Sequence, residues 1–570
     1  MQYKAGSAKG LCPGFVRNSE FSGRIQAVTA PRNYTTKPAH TRVGSIAEEP
    51  KGKGDSSTMT SRLRVALIAT VLIVASMPAI ATAGPDACDT RTNNTINKLL
   101  ECVDVDGVRA HQAAFQAAAD AHGGTRAAGT PGYDATVDYV VQTLEAAGYD
   151  AELDPFDFTY VALGVLTQLA PVTADYETGN FSGTGFGEVT GNVIPVDLAL
   201  GNADWPADPS TSTSACEASD FDGLDFSGPN DIALTQRGAC FFSVKATNAE
   251  AAGAEAIIIF NQGNSPTRLG PVSGNATALP DGSPSNIGIP MVGASFGAGI
   301  ALSQDGSMAL VDVDPPVETT QFNVIAELPG KNDDNVVMAG AHLDSVQQGP
   351  GVQDNGSGSG AILETAVQMA KVKPENTVRF AWWGAEESGL VGSTAYVNDL
   401  TEEEADDIAL YLNFDMIGSP NYVFFVYDGD DSDGVGAGPG PEGSAQIEEF
   451  YESFYEARNE PFKGTDFSGR SDYGPFIAVG IPAGGLFTGA EGVKTAEEAA
   501  IWGGTEGDQY DPCYHLACDT FENISMHALD VNSDAVAASV LSFGMNTEIV
   551  NGEKGKGNFK VQNMDFLPNN

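Results

Sequence analysis

Positive charge is scarce in this chain. Against 76 Asp and Glu stand only 29 Lys and Arg, a formal charge of −47, and that balance argues against a nucleic-acid partner, whose phosphates it would repel. The first 83 residues are net basic, so the remainder is more acidic still, as expected of a well-solvated exported protein. Histidine is scarcer: six in 570 residues, so one placed in an unusual loop stands out. Long apolar runs are missing too. The stretch Val65 to Ala75 is short for a membrane span, which argues against stable membrane insertion. Cysteine is limited to seven, and none falls in the Cys-x2-Cys spacing of a zinc ribbon.

What is present begins with a leader. Met59 to Arg64 is basic, Val65 to Ala75 apolar, and Ala81-Thr82-Ala83 a small-residue cleavage site, the pattern of a signal peptide over 59–83. Export to an extracellular or periplasmic space is therefore expected. Residues 1–58 are polar and without periodicity and remain an unassigned extension. Apart from Cys12, the cysteines fall into three local pairs, Cys88 with Cys102, Cys216 with Cys240 and Cys513 with Cys518. Six cysteines allow 15 connectivities, and proximity favours this one. Disulfides agree with an oxidising compartment.

The chemistry gathers at the ends of apolar strands. Val336 to Ala341 runs into His342, Leu343 and Asp344, and a loop leads to Asp354 and the Gly-Ser-rich stretch 356–360, with a helix expected from about Ala361 to Val372. Open α/β sheets hold ligands at the carboxyl ends of their strands. Thr377 to Trp383 ends in Gly384 and the pair Glu386-Glu387; Ala409 to Phe414 ends in Asp415. His515 lies within the short Cys513 to Cys518 loop. Two imidazoles and four carboxylates suit two zinc ions, because mixed nitrogen and oxygen donors favour zinc over magnesium or calcium. His-x-Asp spacing lets the Asp344 carboxylate accept from the second imidazole nitrogen of His342. His111, His122 and His527 read as structural or exposed.

Two resemblances organise the rest. The segment Arg126-Ala-Ala-Gly-Thr-Pro-Gly-Tyr133 and the helix after it, taken with the ordered motifs above, resemble the M28 family of co-catalytic zinc aminopeptidases, of the leucyl aminopeptidase type. Asp231 to Asn261, with its strand, Gln-Arg-Gly-Ala-Cys turn, helix and apolar strand, resembles the protease-associated (PA) domain. The expected fold is thus α/β, a three-layer sandwich about a mixed, mostly parallel sheet, with an inserted β-rich PA domain. The expected divisions are 84–191 and 317–545 for the peptidase, 192–316 for the insertion, and 546–570 for a polar tail, flexible over Gly552 to Asn558.

The M28 resemblance implies His342 and Asp415 on one zinc, Glu387 and His515 on the other, Asp354 bridging, and Glu386 as general base. It also implies a cis peptide after Asp354. Gly469 to Phe476 and Ile481 to Ala490 resemble substrate-side segments, which implies that Arg470 and Tyr514 stabilise the tetrahedral intermediate and that Phe487 lines an apolar pocket for the N-terminal residue. The implied substrates are peptides or proteins with a free N-terminus, and a monomer is favoured. A calcium position is left open at Asp530 and Asp534. A carboxypeptidase or dipeptidase of the same fold, a glutaminyl cyclase and a non-catalytic receptor are the alternatives. The last two fit less well, because the full ligand set is present.

Overall fold

The computed structural model describes residues 87–200, 212–265, 268–434, 436 and 438–559. The expected leader, the extension before it and the last residues of the tail lie outside the described residues.

Two eight-stranded sheets carry the fold. The first is ordered Ala151–Tyr160, Val317–Leu328, Asn376–Trp383, Asn332–His342, Ile408–Phe414, Ala483–Phe487, Phe425–Tyr427 and Lys463–Thr465. Its four central strands, Asn376–Trp383 through Ala483–Phe487, are parallel, and its flanks are antiparallel except for a parallel pair at one edge. The central strands are buried along almost their whole length, as strands covered on both faces must be.

Side chains alternate between two cores. Val337, Ala339 and Ala341 join one core with Gly356–Met369, Met526–Met545, Val105–Ala121 and Pro131–Ala147, while Val336 and Met338 join the other with Trp383, Tyr411, Tyr473 and Phe476. Helices on both faces make the expected three layers. The helix expected from Ala361 begins earlier, at Gly356, because the Asn355 side chain caps it by accepting from the Gly358 amide at 2.9 Å.

The second sheet runs Ala174–Tyr176, Val165–Ala170, Met308–Val313, Gly187–Pro195, Ile232–Gln236, Ala256–Phe260, Met291–Ala294 and Thr178–Gly179. It has its own cores on its two faces. Its edge strands come from upstream of residue 192, where the insertion was expected to begin. Val165–Ala170 pairs antiparallel with Met308–Val313, so the chain enters the inserted sheet directly after Tyr160 and leaves it into Val317. The tail also departs from expectation: Phe559 is buried and joins the main core, holding residues 546–559 against it. All three disulfides are present as paired above. No helix among the described residues is long and apolar enough to cross a membrane.

The glycines at the start of Gly356–Met369 let that helix end press against a strand terminus. A Cβ on Gly358 would sit 2.1 Å from the carbonyl oxygen of Phe414, the residue before Asp415. Gly358→Ala should therefore force the two apart at a cost of about 1–3 kcal/mol, read as a lowered melting temperature by differential scanning calorimetry.

Candidate metal centre

Parallel strands bring their carboxyl ends to one edge of the first sheet, and the chain turns there into loops that carry the polar residues. His342 closes Asn332–His342, Glu386 and Glu387 follow Asn376–Trp383, and Asp415 follows Ile408–Phe414. Three non-glycine residues at these turns take left-handed backbone: Ala385 (φ 56), Met416 (φ 53) and His515 itself (φ 58). Such conformations cost on the order of 1–2 kcal/mol each and persist where surrounding structure fixes them. The Asp354–Asn355 peptide is cis, as the family resemblance implies.

Asp354 is the centre of the constellation. Its Oδ1 lies 3.2 Å from His342 Nε2 and its Oδ2 lies 3.3 Å from His515 Nε2, one oxygen towards each imidazole. Around His342, Asp415 Oδ1 is at 3.3 Å and Glu386 Oε2 at 4.0 Å; beside His515, Glu387 Oε2 is at 3.0 Å. His342, Asp354 and Asp415 have ligand atoms mutually within 4.8 Å, and so do Asp354, Glu387 and His515. Asp354 is shared between the two groups.

The donor set fits two cations. Glu387 Oε1 and Asp415 Oδ1 are buried oxygens without a hydrogen-bond partner, and buried carboxylate oxygens ordinarily have one. Crowded anions also distort one another. Burial opposes charge on His342, yet Asp415 and Glu386 outweigh it and push its pKa well above the ordinary value. Burial holds Glu386 well above the usual carboxylate range, against the pull of His342. Burial also works against ionised Asp354, but its hydrogen bonds from the two histidines win and lower its pKa.

Behind these residues stands a second layer, of which only Asp344 had an expected role. The Asp344 carboxylate, expected to take the His342 Nδ1 proton, is 3.6 Å away. The closer acceptor is the Asp344 main-chain carbonyl at 3.2 Å, and the same carboxylate oxygen that faces His342 accepts from the Glu386 amide at 3.1 Å. Asp344 therefore steadies the backbone of Glu386. Asp519 accepts from the amides of Gln353 and Asp354 at 2.9 and 3.0 Å. Asn355 donates to the Phe414 carbonyl at 2.8 Å and accepts from the Met416 amide at 3.2 Å, tying Asp354 to the strand that delivers Asp415. Ser471 donates to Asp415 Oδ2 at 2.7 Å.

Arg126 is fully buried and donates to the carbonyls of Leu343, Pro350 and Gly351, pinning the loop between His342 and Asp354. Buried Asp472 has no well-aligned hydrogen bond on either oxygen, Ser393 making a loose contact, and burial pushes its pKa up to about 7. Both lie inside motifs quoted above, but burial alone reveals what they touch.

The remaining expected residues flank a pocket of about 100 Å³ beside the cluster, walled by Met416, Tyr427, Tyr473, Phe487, Ala490 and Tyr514. Arg470 lines its mouth, paired with Glu491 at 2.9 Å and within 3.3 Å of the Tyr514 hydroxyl. The three histidines read as structural do pair elsewhere: His111 with Glu364 and Tyr139, His122 with its own helix, His527 with Glu460. Asp534 pairs with Arg458 at 2.6 Å, which offers no support for calcium there.

The loop that presents His515 is braced from behind by Glu498, which accepts from Lys463, the Thr495 amide and Tyr510 at 2.8 to 2.9 Å. Burial works against this carboxylate, but those donors bring its pKa down to about 2. A depressed folded-state pKa stabilises the fold above the unfolded value near 4.3, and that gain is lost as pH falls towards 2. Glu498→Gln should accordingly lower the melting temperature at pH 7, with the gap to the parent protein shrinking between pH 4.5 and 2 in thermal melts. Ser471→Ala should weaken metal binding by roughly 10- to 100-fold, the usual effect of removing a hydrogen bond behind a ligand, measured by competition with a zinc-binding dye.

Comparison with known proteins agrees with this geometry. The family model of peptidase family M28 matches residues 323–540, and that of the PA domain matches residues 189–302. An aminopeptidase of Pseudomonas aeruginosa is 48% identical over 475 residues, covering 81% of this chain and 85% of that protein. A probable lipoprotein aminopeptidase of Mycobacterium tuberculosis is 39% identical over 487 residues, covering 82% and 93%. Among solved structures, a zinc aminopeptidase from Bacillus subtilis superposes with a TM-score of 0.57 at 25% identity, over 77% of this chain and 94% of that one. The chain belongs to peptidase family M28, with a PA domain inserted in its peptidase unit.

Proposed function

We propose that the aminopeptidase activity of this chain works at two zinc ions, one held by His342 and Asp415, the other by Glu387 and His515, with Asp354 shared. The observation that carries this reading is the Asp354 carboxylate, which turns one oxygen towards each histidine. Zinc in such a site supplies Lewis acidity towards a peptide carbonyl and makes a water molecule easier to deprotonate. Glu386 reaches the same space from a neighbouring strand end without being needed as a ligand. Its carboxylate, made more basic by burial, takes the proton of the attacking water and returns it to the leaving amine.

The adjoining pocket receives the side chain of the N-terminal residue. Tyr427, Tyr473 and Phe487 give it an aromatic wall, and its small volume suits one side chain, which favours leucine-like or aromatic residues. Tyr514, whose hydroxyl lies beside Arg470 and the cluster, stabilises negative charge developing on the scissile carbonyl, a contribution of about 3 kcal/mol for a well-placed donor. A carboxypeptidase would need a free cation for the terminal carboxylate. Arg470 is engaged by Glu491, so that alternative is not favoured. The leader pattern and the three disulfides support secretion. The domain division in this reading places the insertion at about 161–316 and the peptidase unit at 84–160 with 317–545.

The test is hydrolysis of leucine p-nitroanilide beside its N-acetylated form, with metal content measured on the same sample. Two zinc ions per chain, cleavage of the free-amine substrate alone, and a loss of about 10²- to 10⁴-fold in kcat for Glu386→Gln with zinc retained are expected. Cleavage of the acetylated substrate, or one metal per chain, would refute the reading.

A further inference from the structure

A second, larger cavity opens on the same cluster. Glu387, Tyr514 and His515 line both the 100 Å³ pocket and a cleft of about 880 Å³ between the inserted domain and the peptidase unit. That volume falls in the range of sites that enclose ligands of drug size, or a short peptide. One wall is the segment Phe181 to Phe186 of the inserted domain, and the other includes Tyr160, Gln347 and Gln348.

The gap between the walls is held by hydrogen bonds. Gln347 donates to the Val161 carbonyl at 2.7 Å and accepts from the Leu163 amide at 2.9 Å, and Gln348 donates to the Thr178 carbonyl at 3.3 Å. Both glutamines belong to the loop between His342 and Asp354, so the inserted domain is tied to the segment that carries two of the proposed ligands. Phe186, 47% exposed, gives the inserted wall an apolar face. No lysine or arginine lines the cleft among the described residues.

We infer that this cleft binds the part of a peptide that follows the scissile bond, so that the enzyme takes peptides of several residues in preference to dipeptides. The inference rests on the aminopeptidase reading above and goes further by assigning the inserted domain to substrate binding. With the N-terminal side chain in the small pocket and the scissile bond over the cluster, the next residues lead into the cleft, because the two cavities meet at Glu387, Tyr514 and His515. Each extended residue advances the chain by about 3.3–3.6 Å, so successive residues pass Tyr514 and reach the wall at Ser182 and Phe186. A dipeptide instead leaves its terminal carboxylate beside the Glu387 carboxylate, with no lysine or arginine in the cleft to receive it. A longer peptide carries that charge out to solvent.

The experiment uses the full zinc-loaded enzyme and a series of leucyl peptides from two to six residues, with alanine after the leucine, beside leucine p-nitroanilide. kcat/KM should rise with length by on the order of tenfold and then level off. Phe186→Ala, which removes the apolar wall, and Ser182→Trp, which fills the cleft, should each lower kcat/KM for the hexapeptide by about fivefold, mainly through KM. Both should leave leucine p-nitroanilide within about twofold, since it does not enter that wall. Rates independent of length, or variants that slow both substrates equally, would overturn the assignment. Failure of the parent enzyme on leucine p-nitroanilide would overturn the aminopeptidase reading itself, and this one with it.

Discussion

Six carboxylates, Asp344, Asp354, Glu386, Glu387, Asp415 and Asp472, converge on one largely buried region with two imidazoles for company. Mutual repulsion in a medium of low effective dielectric makes that arrangement unfavourable by itself. Much of the surrounding structure is concerned with holding it. Main-chain amides are directed at Asp519 and Asp344, Ser471 is aimed at Asp415, and two oxygens, Glu387 Oε1 and Asp415 Oδ1, are left for something other than a hydrogen bond. The two zinc ions proposed above would meet that electrostatic demand as no arrangement of neutral side chains would.

The scaffold that resists this repulsion is a parallel sheet whose strands are buried on both faces. A ligand attached to the end of such a strand inherits the rigidity of the core behind it. Loops are less rigid, and the long one from Leu343 to Gln353 separates two of the proposed ligands. Arg126 answers that weakness by donating to three of the loop's carbonyls from a fully buried position. Its own pKa falls to about 10 through burial, and it remains charged at neutral pH. Each of the three guanidinium nitrogens thus donates to a carbonyl, and hydrogen bonding of this kind is the condition for placing a charge in a core.

The residues of the cluster were legible because chemistry-bearing residues followed apolar strands and because histidine is rare. Seen one residue at a time, Glu386 and Glu387 are an ordinary acidic pair, and only the buried strand before them changes their meaning. The sheet's strands were legible from apolar runs such as Val336 to Ala341. Other features were hidden for physical reasons. The Asp344 carboxylate had two acceptors' work within reach, and only coordinates show that it serves the Glu386 amide while its carbonyl faces His342. The helix start at Gly356 was masked by glycine and serine, which have low helical propensity, and an asparagine cap supplied what propensity did not. The first strand of the insertion, Val165–Ala170, carries no motif; it belongs to the inserted sheet through pairing with Met308–Val313, more than a hundred residues away.

That long-range pairing explains why an inserted domain can influence the centre without supplying a ligand. The first sheet's edge strand, Ala151–Tyr160, and its neighbour, Val317–Leu328, are antiparallel partners along ten consecutive residue pairs, and the insertion begins after the last residue of one and ends before the first of the other. Both junctions are fixed by one ladder, so the inserted unit grows from a stem rather than a flexible linker. Gln347 and Gln348 then add a second attachment from the loop between the proposed ligands. Two attachments restrain rotation about the stem, and the space between them becomes a cleft of set width. A domain placed in this way can discriminate among substrates by the length of chain that it accommodates, while the cluster at the strand ends keeps the geometry that its chemistry requires.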